Sequence, residues 1–208
     1  MSADPEAPSS RSPQAPQSPR APQSLLSSHQ RHFIRLAQYN TWFNGELFRA
    51  VASLDDAERK RDRGAFFGSI HDTLDHILLC DRGWLGRIRK SSLPFRSLEG
   101  AALEDDFTDL RAGVTQDWEI LSAARRETDA VLERFVGELT PALLEADLDY
   151  HNTQGIAFSN PLWHVVAHVF NHGTHHRGQV TGLLAQAGVD PGMTDFIVTA
   201  LMPFPDRD

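Results

Sequence analysis

The sequence predicts an all-α protein, a four-helix bundle behind a disordered N-terminal tail, and three observations carry that expectation. Four long stretches place apolar residues at three- and four-residue steps, the period of a helix with one buried face. The stretches are separated by Gly, Pro, Asn and Ser clusters that interrupt helices. Residues 1–23 hold six of the twelve prolines and almost no large apolar side chain, so they cannot bury enough surface to offset their ordering entropy. The tail lacks the apolar core of a secretory signal. The domain expectation is therefore a tail over 1–23 and a bundle over 24–208.

The first helix is expected over His29 to Ser53, where Phe33, Ile34, Ala37, Phe43, Leu47 and Val51 share a face. The run Arg59-Lys60-Arg61-Asp62-Arg63 then reads as a solvated loop. A second helix is expected from Ser69 to Arg89, with Ser69 capping the first-turn amides ahead of Asp72 and Pro94 closing it. Residues 91–112 are mixed and acidic, with room for one short helical turn. Gly113 to Glu138 reads as the third helix, through Trp118, Leu121, Val131, Leu132 and Phe135. A short segment starts at Pro141, and 146–159 reads as an irregular or hairpin-like excursion. The fourth helix is expected to open on Asn160 as N-cap with Pro161 at its first position and to run to about Ala187, with Gly188 after its end. Gly173, Gly178 and Gly182 inside it predict close approach of a neighbouring helix.

Charge and cysteine count narrow the function classes. A formal charge of −8 argues against a nucleic-acid binder with a general basic surface. No apolar run approaches the ~18 residues of a membrane span. The single cysteine, Cys80, excludes a disulfide within the chain and fits a cytoplasmic protein. It lies in Ile77-Leu78-Leu79-Cys80, where buried packing is the ordinary reading and a nucleophile the unusual one.

The fourth helix carries the chemistry. Five of the ten histidines fall between His164 and His176, and four of them, His164, His168, His172 and His176, repeat at a step of four. On a helix each step of four turns a side chain by about 40° and advances it by about 6 Å, so any adjacent pair could share a divalent metal ion. A helix cannot surround an ion alone, so a third ligand must come from a facing helix. His71 and His76 on the second helix are the candidates. They sit about 140° apart around that helix and cannot face the same point. His76 lies beside Leu74 and Ile77 on the apolar face, whereas His71, near the helix start, is expected to be exposed or capping. One histidine on an apolar face is ordinarily a satisfied core residue; a stripe opposite another interior histidine is not. His29, His32 and His151 carry no such pattern.

The string Asn171-His172-Gly173-Thr174-His175-His176-Arg177-Gly178-Gln179 resembles the signature of the DinB family of bacterial proteins, which is unrelated to the translesion polymerase of that name. Gln38 to Asn44 resembles the family's first helix, and Arg63 to Leu78 the start of its second, with Asp75 where the family usually has Asn. Pro161 to Gly188 resembles the fourth helix, and Asp195 falls where an acidic residue is common. The likeness covers roughly 29–200. It implies an up-down-down-up bundle, often a homodimer, from a damage- or stress-induced family. It implies a divalent metal ion, nickel, zinc or similar, held by His76, His172 and His176. His168 then becomes a pocket residue, and Asp72, four before His76, a partner for a ligand's second nitrogen.

Three protein ligands leave a position open to water or substrate, the pattern of a catalytic site. Relatives sharing the bundle include transferases and isomerases that use bacillithiol, mycothiol or glutathione, and metal-dependent hydrolases. The resemblance therefore implies a metal-dependent enzyme acting on a small molecule with a low-molecular-weight thiol, with a hydrolase as the second reading. A third reading is a stress-induced metal-binding protein without turnover, whose proline-rich tail recruits a partner.

Overall fold

The computed structural model describes residues 26–104, 109 and 111–203; the expectation for residues 1–23 lies outside them. Four long helices form the bundle: α1 (Ser28–Ala52), α3 (Ile70–Lys90), α4 (Trp118–Glu138) and α6 (Leu162–Gln186). Two short helices, α2 (Asp56–Lys60) and α5 (Pro141–Glu145), fill connections, and β1 (Asp147–His151) pairs antiparallel with β2 (Ala157–Pro161). Among the described residues, no helix is long and apolar enough to cross a membrane.

Contacts between helices fix their directions. Gln30 at the start of α1 donates to the carbonyl of Leu139 just past the end of α4, and Phe48 near the end of α1 stacks on Trp118, the first residue of α4. These two helices are therefore antiparallel. Asp81 of α3 meets Arg125 of α4, and one residue on, Arg82 meets Thr128, so α3 and α4 run together. His76 faces His172 while Trp84, later on α3, packs on His168, earlier on α6, so that pair is antiparallel. Phe33 with Phe170 and Asn40 with Arg177 make α1 and α6 parallel. The order is up, down, down, up.

Local chemistry explains most boundaries. Ser27 and Gln30 form a reciprocal capping box on α1, and Ser69 Oγ accepts from the Asp72 amide at 3.0 Å to start α3. Several expectations are corrected. The run 59–63 is not simply a loop, because Asp56–Lys60 closes one helical turn capped by Asp55, with the Arg59 guanidinium over Trp118. α3 ends at Lys90, capped by Ser91, before Pro94 is reached. Asn160 does not cap α6. It pairs with Leu148 in the hairpin, its amide donates to the Tyr150 hydroxyl at 3.2 Å, and Pro161 takes the N-cap place. Of the three glycines of α6, a Cβ on Gly173 would lie 3.0 Å from Arg177 and 3.6 Å from Asn40 of α1, but Gly178 and Gly182 face open space.

α4 begins at Trp118 rather than Gly113, because 113–117 has another task. The buried Asp75 carboxylate of α3 accepts from the Val114 amide at 2.7 Å and the Thr115 amide at 3.3 Å. Gly113 holds a φ of +61, and a Cβ there would fall 2.4 Å from Asp75 Oδ2. Gly113→Ala is expected to cost about 1–3 kcal/mol, from left-handed strain and the displaced carboxylate. Urea unfolding midpoints check it; an unchanged midpoint would show that the loop yields freely.

The apolar core is divided. One half gathers Phe33, Leu85, Phe135 and Val166 with the hairpin's Leu148; the other gathers Phe43, Leu47, Leu74, Leu121 and Val180. Between them, mid-helix, every long helix contributes buried polar groups: Asn40 and Asn44 from α1, His76 and Asp81 from α3, Arg125 and Asp129 from α4, His176 and Arg177 from α6. This polar layer positions the site.

Candidate metal centre

At one side of the layer three imidazoles converge. His76 Nε2 lies 3.3 Å from His172 Nε2, which lies 3.1 Å from His176 Nε2. His76 and His176 are buried and His172 is partly exposed. The antiparallel register of α3 and α6 selects this pair of the stripe: one turn earlier His168 packs edge-on to Trp84, ring centres 5.2 Å apart, and His164 lies exposed against Trp163.

The surroundings fix the rings. Gln179 Oε1 lies 2.7 Å from His176 Nδ1, and Gln179 Nε2 lies 3.3 Å from His175 Nε2. An amide oxygen only accepts, so the proton of neutral His176 is on Nδ1 and its Nε2 lone pair points at His172. Phe67 stacks on His76 with ring centres 3.9 Å apart, holding that ring's plane. Burial, then the neighbouring His176 and His76, push the His172 pKa down to about 3, and burial lowers that of His176. Both imidazoles are thus neutral near pH 7, the form that binds metals.

Those shifts have a measurable consequence in the metal-free chain. The ordinary value of 6.5 applies to His172 in the unfolded state and about 3 in the folded state. Its contribution is present above 6.5 and lost as pH falls toward the folded value, at a limiting slope of about 1.4 kcal/mol per pH unit. Buried Asp129 acts with the opposite sign: burial lifts it from 3.8 to about 6, so its contribution is lost as pH rises through that interval. Comparing the native chain with His172→Gln isolates the histidine. With chelator present, the native chain is expected to lose more stability than the variant between pH 6.5 and about pH 5. Identical pH slopes in urea unfolding would refute the depressed value.

Other expected site residues fall as follows. His168 is exposed toward the cavity described below. Asp72 accepts from Ser69 Oγ at 2.6 Å and from Gln116 Nε2 at 3.4 Å, at the start of α3. His71, expected to be exposed or capping, is fully buried, with Nε2 2.8 Å from the Thr115 carbonyl. Cys80 is buried as expected, but not only among apolar neighbours. Its Sγ lies 3.5 Å from His76 Nε2, and donor atoms of His76, Cys80 and His172 all fall within 4.8 Å of one another, close enough to share a metal ion. Without an ion, burial pushes this thiol up to about 12. A signal was present in the sequence: Cys80 follows His76 by four, the step of the histidine stripe.

The histidines floor a cavity of about 940 Å³, within the range of small-molecule sites. Its walls are aromatic, from Phe66, Trp84, Tyr150 and Phe158, with Arg87 and Arg111 among its lining residues. Phe158 and Tyr150 come from the β1–β2 hairpin, so the excursion between α5 and α6 builds one side of the site.

Comparison with known proteins identifies the family. The chain is 28% identical over 166 residues to Protein DinB of Bacillus subtilis (strain 168), covering 78% of this chain and 90% of that protein. No solved structure matches. The profile of the DinB family matches residues 26–205, which include all four long helices and the three converging histidines, and the chain belongs to the DinB family.

Proposed function

We propose that His76, His172 and His176 bind one divalent cation, nickel, zinc or similar, and that the protein is a metal-dependent enzyme transferring a low-molecular-weight thiol to a small electrophile. The observation that carries the reading is three imidazole nitrogens meeting at the floor of an aromatic-walled cavity. Ligand nitrogens sharing a tetrahedral zinc ion lie about 3.3 Å apart, and the two spacings in the structure are 3.3 and 3.1 Å. Hydrogen bonding alone accounts for them poorly. His172 Nε2 carries either one proton or one lone pair, yet it faces two ring nitrogens.

A bound divalent ion would supply Lewis acidity, lowering the pKa of a thiol or water reaching it. The remaining work falls to the chain. Gln179 keeps the His176 Nε2 lone pair directed inward, Phe67 holds the His76 ring, and the aromatic walls take an apolar substrate body. Arg87 and Arg111 among the lining residues favour the carboxylates that glutathione and bacillithiol carry. In the transfer, the thiol gives up its proton, its sulfur forms a bond to the electrophilic carbon, and the leaving group departs with the displaced electron pair. Hydrolysis usually needs a positioned carboxylate base beside the metal, and among the described lining residues the one carboxylate is Asp109, in the loop after α3. That difference favours thiol transfer over the hydrolase reading.

The test is turnover of a chloronitroaromatic electrophile with bacillithiol, mycothiol and glutathione in turn, with and without chelator. Chelator-sensitive conjugation with one thiol is expected. Ester or amide hydrolysis, with no conjugation by any thiol, would replace this reading with a hydrolase; stoichiometric metal with neither activity would leave a non-catalytic metal-binding protein.

A further inference from the structure

Cys80 is the single cysteine of the chain and reaches the histidine cluster from α3. Its sulfur lines the cavity beside His76 and His172. Bonds of about 2.05 Å to nitrogen and about 2.3 Å to sulfur set the edges of a tetrahedral site, about 3.3 Å between two nitrogens and about 3.6 Å between nitrogen and sulfur. The structure has 3.3 and 3.1 Å for its two nitrogen pairs and 3.5 Å from Cys80 Sγ to His76 Nε2. These three contacts have the lengths of edges in a mixed nitrogen–sulfur shell, and the donor atoms of His76, Cys80 and His172 fall within 4.8 Å of one another. The alternative, a thiol S–H donated to His76, occupies the one lone pair of His76 Nε2 and leaves that atom's contact with His172 without a proper acceptor.

We propose that Cys80 is a fourth ligand, so that the ion is held by three histidines and one thiolate. The proposal rests on the three-histidine reading and alters it. On ligation the thiol proton passes to solvent and the sulfur bonds the ion, adding one negative charge to the shell. The position that three histidines would leave open is then filled from within the protein. A substrate thiol must displace the Cys80 sulfur or join it at a fifth position, which catalytic zinc sites can provide. Cys80 thereby acts as an internal occupant that an external thiol has to replace, which makes the site selective for ligands as soft as sulfur.

The experiment is cobalt(II) loading of the metal-free protein, followed by absorption spectroscopy. Cobalt bound by histidines shows only ligand-field bands in the visible; a thiolate adds an intense near-ultraviolet charge-transfer band. The expected result is one equivalent of cobalt with that band in the native chain, and loss of the band in Cys80→Ser with cobalt still bound. Because the chain has no other cysteine, the native spectrum is decisive even if the serine variant folds poorly, and loss of Cys80 reactivity toward a disulfide reagent on cobalt loading is the second readout. Stoichiometric cobalt without the band overturns the sulfur ligand and leaves the three-histidine site standing. Failure of the native chain to bind cobalt overturns both.

Discussion

His172→Ala is expected to yield protein without stoichiometric metal, and His76→Ala and His176→Ala the same. His172 is the central member of the cluster, 3.3 Å from one ring nitrogen and 3.1 Å from the other, so its removal leaves the remaining two without a shared neighbour. The effect should exceed that of Gln179→Ala, which removes only the acceptor 2.7 Å from His176 Nδ1; an outer partner of that kind is worth about 10–100-fold in affinity. His164→Ala, on an exposed residue beside Trp163, should retain full metal. Elemental analysis of the purified variants, with chelator competition for affinities, checks the series. Full occupancy in His172→Ala would falsify the site.

The contrast between His172 and His164 marks where the sequence was legible. The 3.6-residue period gave the four long helices, and the stripe pointed to α6, because both are properties of one segment. Choosing among the adjacent pairs of the stripe was not possible from spacing, since every pair at a step of four has the same local geometry. The choice is made by α3, whose antiparallel register sets His76 against His172 and spends His168 on Trp84. His71 was misread for the same kind of reason: its partner is a carbonyl 44 residues away. The start of α6 was misplaced because Asn-Pro is a good helix opening in isolation, and pairing of Asn160 with Leu148 in the hairpin overrode it. Cys80 was legible by its spacing from His76 but was masked by the apolar run around it. The polar layer was the least legible feature. Asn40, Asn44, Asp81, Arg125, Asp129 and Arg177 are residue types normally found on surfaces, and only the assembled bundle shows that they neutralise one another.

That layer supports the second large expected effect. Asp129→Ala should destabilise the fold by about 3–5 kcal/mol, the cost of leaving a buried cation short of its partner, and lower the melting temperature by roughly 10 °C for a chain of this size. Arg125 is 2% exposed and lies between Asp81, 2.7 Å away, and Asp129, 2.8 Å away. Asp129 also accepts from Asn40 at 2.8 Å and from Asn44 at 3.0 Å. Asn40 in turn accepts from Arg177, the residue after His176. The chain of contacts therefore runs from α4 through α1 to the histidine helix, and it ties the register of α6 to charges that have no other place to go. Burying such charges gains little net stability, so an advantage in placing His172 and His176 opposite His76 is our hypothesis for why the layer exists. It predicts more than instability. Asp129→Ala should weaken metal binding, whereas Phe135→Ala, a truncation of comparable cost in the apolar half beyond the layer, should not. Thermal melts and chelator-competition titrations on the two variants separate the outcomes. Equal metal affinity in both, at matched loss of stability, would reduce the layer to a packing solution with no bearing on the site. Weaker binding in Asp129→Ala alone would make it the element that holds the two halves of the histidine cluster in register.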